Sequence, residues 1–390
     1  MKIKNIIQNI LLLTFSVLFV LLILEVFLRV AAYERKKDEL KKQETIRHGN
    51  EFIFYEYDRY LGWKNKPLAQ GALTMPASRT FVKINSKGLR DKEYSYDKTE
   101  GIYRILVLGD SFTWGYGVET EEIFTERLEE MFDGNAEVIN GGVTGYGTDQ
   151  ELLFLEREGV KYSPDVVVVA LASNDFMWDN LAKKHGYYPK PFFEMENGQL
   201  KLTNVPLPEL SGDGWEELLR EQAKPKVKHQ KRGFKGFLKR NTETYPFLSK
   251  SFKNLKYSLL RRLQTQESAQ KLLNKFRITF SDESVNLDTT KAMFLRMNEY
   301  TKSIGASLAV YIIPYKSALD KLPNRFIDEF IIFFNENNIP CIYPYEEFLE
   351  ERNRGEALYL YGDDHWSPRG HVVAAEQLYK FLDREKLLPG

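Results

Sequence analysis

The stretch "RILVLGDSF", Arg104 to Phe112, carries an apolar run directly into Gly-Asp-Ser. A continuous run of large aliphatic residues is typical of a strand that is buried on both faces, as in a parallel sheet. The polar residues then fall where the strand ends and a helix is expected to begin. Ser111 is therefore either the cap of that helix or a nucleophile. Residues elsewhere in the chain are needed to distinguish the two roles.

The same alternation continues along the chain. "AEVIN" and "PDVVVVALA" have the composition of strands, and "DQELLFLEREG" has the spacing of a helix. Later strands are predicted at "SLAVYIIP" and "PCIYP", and a final helix at "PRGHVVAAEQLYKFLDRE". Strands that alternate with helices predict an α/β fold with a parallel, doubly wound sheet.

Composition excludes several classes of protein. The chain has 390 residues, 43% of them hydrophobic and 28% charged, with a formal net charge of zero. This balance is ordinary for a globular protein and gives no overall field that would attract nucleic acid. The single cysteine, Cys341, excludes an intramolecular disulfide framework and a cysteine-rich metal site.

The N-terminus has a different composition. Residues 5–24 contain no charge, and as a helix they would span the hydrocarbon core of about 30 Å. We predict an uncleaved membrane anchor over residues 1–32. A cleaved signal peptide is the alternative, because Val30-Ala31-Ala32 could imitate a small-residue cleavage site.

Three further segments complete the predicted organisation. Residues 33–50 form a charged spacer, residues 51–100 form an extension packed on the core, and residues 101–390 form the main domain. A helical insertion is predicted at about 177–286 within that domain. Its stretch 224–262 holds thirteen Lys or Arg and one acid, Glu243.

The basic stretch 224–262 has two readings. It is either a solvated part of the insertion or a basic amphipathic surface that lies against an anionic headgroup or polymer. Nucleic acid is disfavoured as a partner, because no recognition motif accompanies the charge.

Polar blocks stand where the predicted strands end, which is where sites form in open parallel sheets. A serine hydroxyl is a weak nucleophile and needs a base. His365 is the candidate base for Ser111, since two carboxylates, Asp363 and Asp364, precede it directly. Either one could fix the imidazole tautomer and stabilise the imidazolium.

Other residues in these blocks could hold an oxyanion. They are the backbone N–H of Ser111 at its turn, the backbone N–H of Gly145, and the side-chain amide of Asn174. Asp363, Asp364, His365 and His371 also have the residue types of a metal site. We nevertheless predict no metal and no cofactor, and we assign His371 a structural role. Trp114 and Trp366 either line an acyl pocket or pack in the core.

Four blocks together resemble the SGNH, or GDSL-like, hydrolase superfamily. They occur in the order "GDSF", "GVTGYGTD", "SND" and "DDHW", and the resemblance covers about residues 104–180 and 290–386. It implies a three-layer α/β/α fold around a five-stranded, flavodoxin-like sheet. It also implies Ser111 as nucleophile, His365 as base, and an oxyanion hole of Ser111, Gly145 and Asn174.

The chain departs from the family pattern in two places. Ala172 stands where the third block usually has glycine, and Gly362 stands where Asp-x-x-His would place the aspartate. The available pairing is Asp363-x-His365, so Asp363 is the predicted third member of the triad. Asp364 is the alternative.

Location and function follow as expectations. The basic residues after the apolar segment would favour a cytoplasmic main domain by the positive-inside rule, whereas the family resemblance favours an extracytoplasmic one, which we predict. The expected activity is that of a serine esterase or acyltransferase acting on O-acetyl groups of a cell-envelope or exported polysaccharide. The alternatives are a lipid-directed hydrolase, such as a lysophospholipase or thioesterase, and a non-catalytic carbohydrate-binding protein on the same fold.

Overall fold

The computed structural model describes residues 12–16, 19–29, 51–75, 79–172, 184–185, 188–208, 214, 287–319 and 325–388. The chain divides into two units, Met1–Arg47 with Pro225–Phe280, and His48–Lys224 with Ser281–Gly390. The predicted spacer at 33–50 and the basic stretch 224–262 lie outside the described residues.

The described part of the first unit is a single helix, α1, Leu12–Arg29. Its 18 residues are long and apolar enough to cross a membrane, by length and composition alone. A signal sequence near an N-terminus has the same properties, so α1 is compatible with both predicted alternatives. Near its end Arg29 Nε donates to Glu25 Oε1 over 2.8 Å, one turn earlier.

The second unit contains thirteen strands and eight α-helices in the described residues. The strands are β1 (Tyr55–Asp58), β2 (Gly62–Asn65), β3 (Gln70–Thr74), β4 (Arg79–Lys83), β5 (Tyr103–Gly109), β6 (Ala136–Gly142), β7 (Val166–Leu171), β8 (Lys184–His185), β9 (Tyr188–Pro189), β10 (Phe192–Glu196), β11 (Gln199–Thr203), β12 (Ser307–Ile312) and β13 (Cys341–Ile342). The helices are α2 (Ser111–Trp114), α3 (Phe124–Glu130), α4 (Thr148–Arg157), α5 (Leu287–Ser303), α6 (Lys316–Leu319), α7 (Arg325–Glu336), α8 (Tyr345–Asn353) and α9 (Pro368–Arg384).

Five parallel strands form the central sheet in the order β13-β12-β7-β5-β6. Numbered by position in the chain, this order is 2-1-3-4-5 from the β6 edge, which is the flavodoxin-like arrangement. The predicted parallel, five-stranded sheet is therefore confirmed. The strand order reverses between β5 and β7, so loops that leave their carboxyl ends in opposite directions open a crevice there.

Alternate residues of the central strands enter two separate cores. In β7, Val167 and Val169 lie in one cluster, whereas Val166 and Val168 lie in the other. The first cluster includes residues of α4, α5 and α7, and the second includes residues of α3, α8 and α9. This burial on both faces explains the unbroken apolar runs in the sequence, and it gives the three layers that the sequence predicts.

The extension at 51–100 forms two antiparallel hairpins, β1–β2 and β3–β4. Phe54, Trp63, Leu73 and Ile84 are buried within the first core cluster, together with residues of the central sheet. The extension therefore contributes to the core of this unit.

The described part of the insertion differs from the helical prediction. Strands β10 and β11 form an antiparallel hairpin, and β8 and β9 form another. Asn197 and Gly198 make the first turn with φ of 52° and 78°, the two positive values that a two-residue turn of type I′ requires. Lys190, fully buried, pairs with Asp149 of α4 over 2.9 Å and attaches this region to the sheet domain.

Candidate active site

The turn that presents Ser111 follows β5 directly. Asp110 caps helix α2, because its side chain accepts a hydrogen bond of 2.9 Å from the N–H of Phe112. The helix is a single turn and ends at Gly115, whose φ of 83° is left-handed. A Cβ at Gly115 would lie 2.5 Å from the side chain of Ile123, so a larger residue would displace the turn. Asp110 thus has a local structural role, and Ser111 is the first helical residue.

The end of β6 approaches this turn closely. A Cβ at Gly142 would lie 2.7 Å from the carbonyl carbon of Thr113, so only glycine fits there. Asn140 Nδ2 donates to the Thr113 carbonyl over 2.8 Å, and its Oδ1 accepts from the N–H of Gly142 over 2.9 Å. Asn140 therefore holds the serine turn against the neighbouring strand. Asn140 is not among the site residues predicted from the sequence, although a polar residue at the end of the strand "AEVIN" is a usable signal.

His365 lies in the connection that leads into α9. An isolated antiparallel bridge joins Tyr359 to Trp366, and the N–H of Leu360 donates to the His365 carbonyl over 2.9 Å. The Tyr359 hydroxyl donates to the carbonyl of Pro314, just beyond β12, over 2.8 Å. These bonds fix the connection at the carboxyl edge of the sheet, where Ser111 also stands.

Ser111, His365 and Asp363 form one hydrogen-bonded chain. Ser111 Oγ lies 2.6 Å from His365 Nε2, and His365 Nδ1 lies 2.6 Å from Asp363 Oδ1. The same carboxylate oxygen accepts from the backbone N–H of His365 over 2.9 Å. With Nδ1 protonated and bonded to the carboxylate, Nε2 is the acceptor for the serine proton. Of the two carboxylates beside His365, Asp363 is the one bonded to the ring.

The surroundings keep Asp363 ionised. Burial by itself would raise the pKa of this carboxyl. The hydrogen bond and charge of the His365 ring and the backbone N–H groups of His365 and Asp364 outweigh burial, so the pKa falls to about 2. The side chains of His365 and Asp363 remain 22% and 32% exposed. An ionised carboxylate in this position stabilises an imidazolium, and the hydroxyl beside Nε2 can transfer its proton as it attacks a carbonyl carbon.

Two aromatic rings pack against the imidazole of His365. The ring centroids of Phe112 and Tyr116 lie 4.9 Å and 4.8 Å from that of His365. Trp114 and Trp366 are fully buried in the two core clusters. Of their two predicted alternatives, the structure therefore supports packing.

The structure describes two of the three residues that were predicted to form the oxyanion hole, Ser111 and Gly145. Ser111 has a backbone N–H without a partner inside helix α2, because it is the first helical residue. Gly145 lies three residues beyond β6, with a left-handed φ of 78°. Asn174 falls outside the described residues, as do its neighbours Ser173 and Asp175. The part of the oxyanion hole assigned to Asn174 thus stays a prediction.

His371 is near the trio but separate from it. It is fully buried in α9, and its Nδ1 accepts a hydrogen bond of 3.2 Å from the N–H of Phe124. Burial and the positive charges of Arg90 and His365 lower its pKa to about 3, so the ring stays neutral. In the ranges that the structure describes, no group of three or more His, Cys, Asp or Glu side chains is arranged to hold a metal ion.

A parallel α/β fold with a Ser–His–Asp chain at the carboxyl edge of its sheet is the arrangement of a serine acylhydrolase. A model of the GDSL-like lipase/acylhydrolase family matches residues 107–373. The match covers more than half of the chain, so the protein belongs to this family and is an ester-hydrolysing enzyme. The resemblance drawn from the four sequence blocks is confirmed.

Several solved structures are similar to this chain at low identity. A lipase/acylhydrolase from Enterococcus faecalis has 14% identity and a TM-score of 0.38, with 73% of this chain and 96% of that chain covered. The psychrotrophic esterase EstA from Pseudoalteromonas sp. has 13% identity and a TM-score of 0.38, with 73% and 99% covered. The acetyl xylan esterase AlAXEase has 11% identity and a TM-score of 0.38, with 71% and 98% covered.

No curated protein matches the chain. The family assignment rests on the family model, because the three TM-scores all lie below 0.5.

Proposed function

We propose that Ser111 is the nucleophile, His365 the general base and Asp363 the orienting acid of this esterase. The observation that carries the proposal is the unbroken hydrogen-bonded chain from Ser111 Oγ through the imidazole to Asp363 Oδ1. Ser111 Oγ attacks the ester carbonyl carbon while its proton passes to His365 Nε2. The alcohol then leaves with that proton, and the acyl group stays on Ser111.

A second attack completes the reaction. Water, or a sugar hydroxyl in a transfer reaction, gives its proton to His365 as its oxygen bonds to the acyl carbon. The bond between the acyl carbon and Ser111 Oγ then breaks, and His365 returns the proton to Oγ. In both steps the negative oxygen of the tetrahedral intermediate is held by the backbone N–H groups of Ser111 and Gly145 and by the side chain of Asn174. No cofactor takes part in either step.

The decisive experiment replaces the nucleophile. We expect Ser111→Ala to lower turnover of p-nitrophenyl acetate by at least about 10³-fold and to abolish labelling by a fluorophosphonate probe. Ser303→Ala, at an exposed serine whose hydroxyl donates to the Tyr300 carbonyl, is the matched control and should match the native enzyme. Retained turnover in folded Ser111→Ala would refute the assignment. A native protein that the probe does not label would favour the non-catalytic carbohydrate-binding alternative for this site.

The proposed substrate is an O-acetyl ester of a cell-envelope or exported polysaccharide. Support comes from the esterase family and from α1, which would keep the enzyme at a membrane surface. The second candidate is a lipid-directed hydrolase, and the specific observation that favours it is α1 together with the basic, aromatic stretch 224–262. The acyl-chain preference separates the two. Faster turnover of C2 than of C8–C12 p-nitrophenyl esters is expected for the first candidate, and the reverse order for the second.

We further propose that residues 1–32 anchor the chain and that its main domain is extracytoplasmic. The length and apolar character of α1 support the anchor, and the family resemblance supports the extracytoplasmic side. Membrane fractionation should leave the full-length protein in the pellet after a high-salt wash. Protease added outside spheroplasts should remove the main domain, and protection from that protease would place the domain in the cytoplasm.

The basic stretch 224–262 would add an electrostatic contact with an anionic surface. Flotation of a variant that lacks residues 1–32, on vesicles containing phosphatidylglycerol, tests this contact. Binding that persists on purely zwitterionic vesicles would contradict it.

A further inference from the structure

The N-terminal extension contacts both loops that carry the proposed catalytic groups. We infer that Arg90 and Trp63 are positioning residues of the esterase: Arg90 fixes the serine loop, and Trp63 fixes the loop of Gly145. The inference rests on the proposed function, since it takes Ser111 as the nucleophile and Gly145 as an oxyanion donor.

Arg90 lies behind the serine loop with its guanidinium fully buried. Its Nη1 donates to the carbonyls of Trp114, over 3.1 Å, and Gly115, over 2.5 Å. Its Nη2 donates to the carbonyl of Val118 over 2.6 Å. The guanidinium carbon also lies 4.5 Å from the centroid of the Trp114 ring. One side chain therefore holds three carbonyls over five residues of chain.

The charged guanidinium of Arg90 interacts with main-chain carbonyls. Among the described residues no carboxylate forms an ion pair with it, and burial lowers its pKa to about 10, against the attraction of Tyr55, Glu119 and Glu121. It is therefore charged at neutral pH. Burying an arginine is costly unless its donors are satisfied. Here Nη1 and Nη2 donate to main-chain carbonyls, whereas Nε has no hydrogen-bond partner among the described residues. The planar fork of guanidinium suits several carbonyls at once, which a lysine ammonium does not.

The carbonyls that Arg90 holds belong to the loop that orients both reacting side chains. The carbonyl of Ser111 accepts hydrogen bonds from the N–H groups of Gly115, over 3.1 Å, and Tyr116, over 3.0 Å. The ring of Tyr116 in turn packs on the His365 imidazole. A shift of Gly115 would therefore move Ser111 together with the Tyr116 ring that packs on the imidazole.

Trp63 acts on the other loop. Its indole Nε1 donates to the carbonyl of Thr144 over 3.0 Å, and its own carbonyl accepts from the Tyr146 hydroxyl over 2.7 Å. The rings of Trp63 and Tyr146 are 5.8 Å apart in an edge-to-face arrangement. The residues before and after Gly145 are thus both bonded to Trp63, and this fixes the peptide units that aim the Gly145 N–H.

The same strand joins the two loops. Asn65, two residues after Trp63 in β2, accepts from Trp114 Nε1 over 3.0 Å and donates from Nδ2 to the Gly142 carbonyl over 3.3 Å. The extension therefore sets the distance between the serine loop and the glycine loop. An error of about 1 Å in such a distance can cost about 100-fold in rate.

The test compares Trp63→Phe and Arg90→Lys with Arg104→Lys in the full-length protein. Arg104 is a matched control because it is equally buried and its Nη1 donates to the carbonyls of Tyr96 and Tyr162. It lies near the start of β5, however, about 20 Å along the strand from the Ser111 end. We expect the two extension variants to lose about 10- to 100-fold in kcat for p-nitrophenyl acetate, with KM changed less than about twofold. Arg104→Lys should lower the melting temperature without changing kcat per folded molecule.

A rescue experiment gives a readout that loss of stability alone would not move. Millimolar guanidinium should restore part of the lost kcat in Arg90→Ala and should leave the kcat of folded Arg104→Ala unchanged. Native kcat in folded Trp63→Phe and Arg90→Lys, with Ser111→Ala inactive, would overturn the inference and leave the proposed function intact. An active Ser111→Ala variant would instead refute the proposed function. If the Arg90 variants do not fold, the kcat of Trp63→Phe decides.

Discussion

Two histidines six residues apart, His365 and His371, have opposite surroundings. The His365 ring is part-exposed and lies between the Ser111 hydroxyl and the Asp363 carboxylate. The His371 ring is fully buried, accepts a hydrogen bond from a backbone N–H and packs 5.5 Å from the Trp366 ring. The same imidazole thus serves as a candidate base in one place and as a packed acceptor in the other.

The difference shows which neighbours suit an imidazole to proton transfer. A base in acyl transfer has to hold a proton while the tetrahedral intermediate exists, which requires a nearby negative charge. Asp363, with a pKa of about 2, supplies that charge to His365. His371 has burial and the positive charges of Arg90 and His365 instead, and its pKa of about 3 keeps it neutral.

The largest expected effect is the loss of the base. His365→Gln should lower kcat/KM for p-nitrophenyl acetate by at least about 10³-fold, because Ser111 loses its proton acceptor. His371→Asn is the matched control, since asparagine can still accept from the N–H of Phe124. It should retain activity within about threefold in the folded fraction. Equal losses in two folded variants would break the comparison between the histidines.

The second-largest expected effect is the loss of the Asp363 carboxylate. Asp363→Asn should lower kcat by about 10²- to 10⁴-fold, because the amide no longer stabilises the imidazolium and favours the wrong tautomer. Asp364→Asn changes the adjacent residue in the same way and should stay within a few fold of the native enzyme. A larger loss for Asp364→Asn than for Asp363→Asn would reverse the choice between these two residues.

Much of the fold was predictable because burial leaves a local pattern. Strands β5 and β7 are buried on both faces, so their sequences are unbroken apolar runs, and the polar blocks after them mark the sheet edge where Ser111 stands. The pairing of Ser111 with His365 was predictable from residue type and position, although 254 residues separate them. The choice of Asp363 over Asp364 came from the family resemblance, in which Asp-x-His is one of the spacings.

The contacts that support the site were not predictable in this way. Arg90 and Trp63 act on carbonyls more than twenty residues away, and a main-chain carbonyl has no sequence identity to detect. Burial of an arginine also contradicts the usual preference of that residue for solvent. The β10–β11 hairpin is a different case, since Asn197-Gly198 between alternating residues was a strong turn signal that the helical prediction overlooked.

The smallest expected effect is the contribution of His371 to the pH dependence of the free energy of unfolding. Its pKa is about 3 in the folded chain and about 6.5 in the unfolded chain. Between these values the unfolded chain binds a proton that the folded chain does not, so the free energy of unfolding decreases as the pH falls from about 6.5 to about 3. The contribution of one such group is at most about 1.4 kcal/mol per pH unit.

Urea unfolding of the native protein and His371→Asn at pH 7, 6, 5 and 4 measures this contribution. The stability difference between the two chains should be largest at pH 7 and should shrink by about 2 to 3 kcal/mol by pH 4, because only the native chain carries the buried histidine. Asp363 and the other carboxyls are present in both chains, so their titration cancels in the difference. Parallel stability curves would mean that His371 takes up a proton in the folded state as easily as an exposed histidine does, and the distinction between the two rings would then rest on position alone.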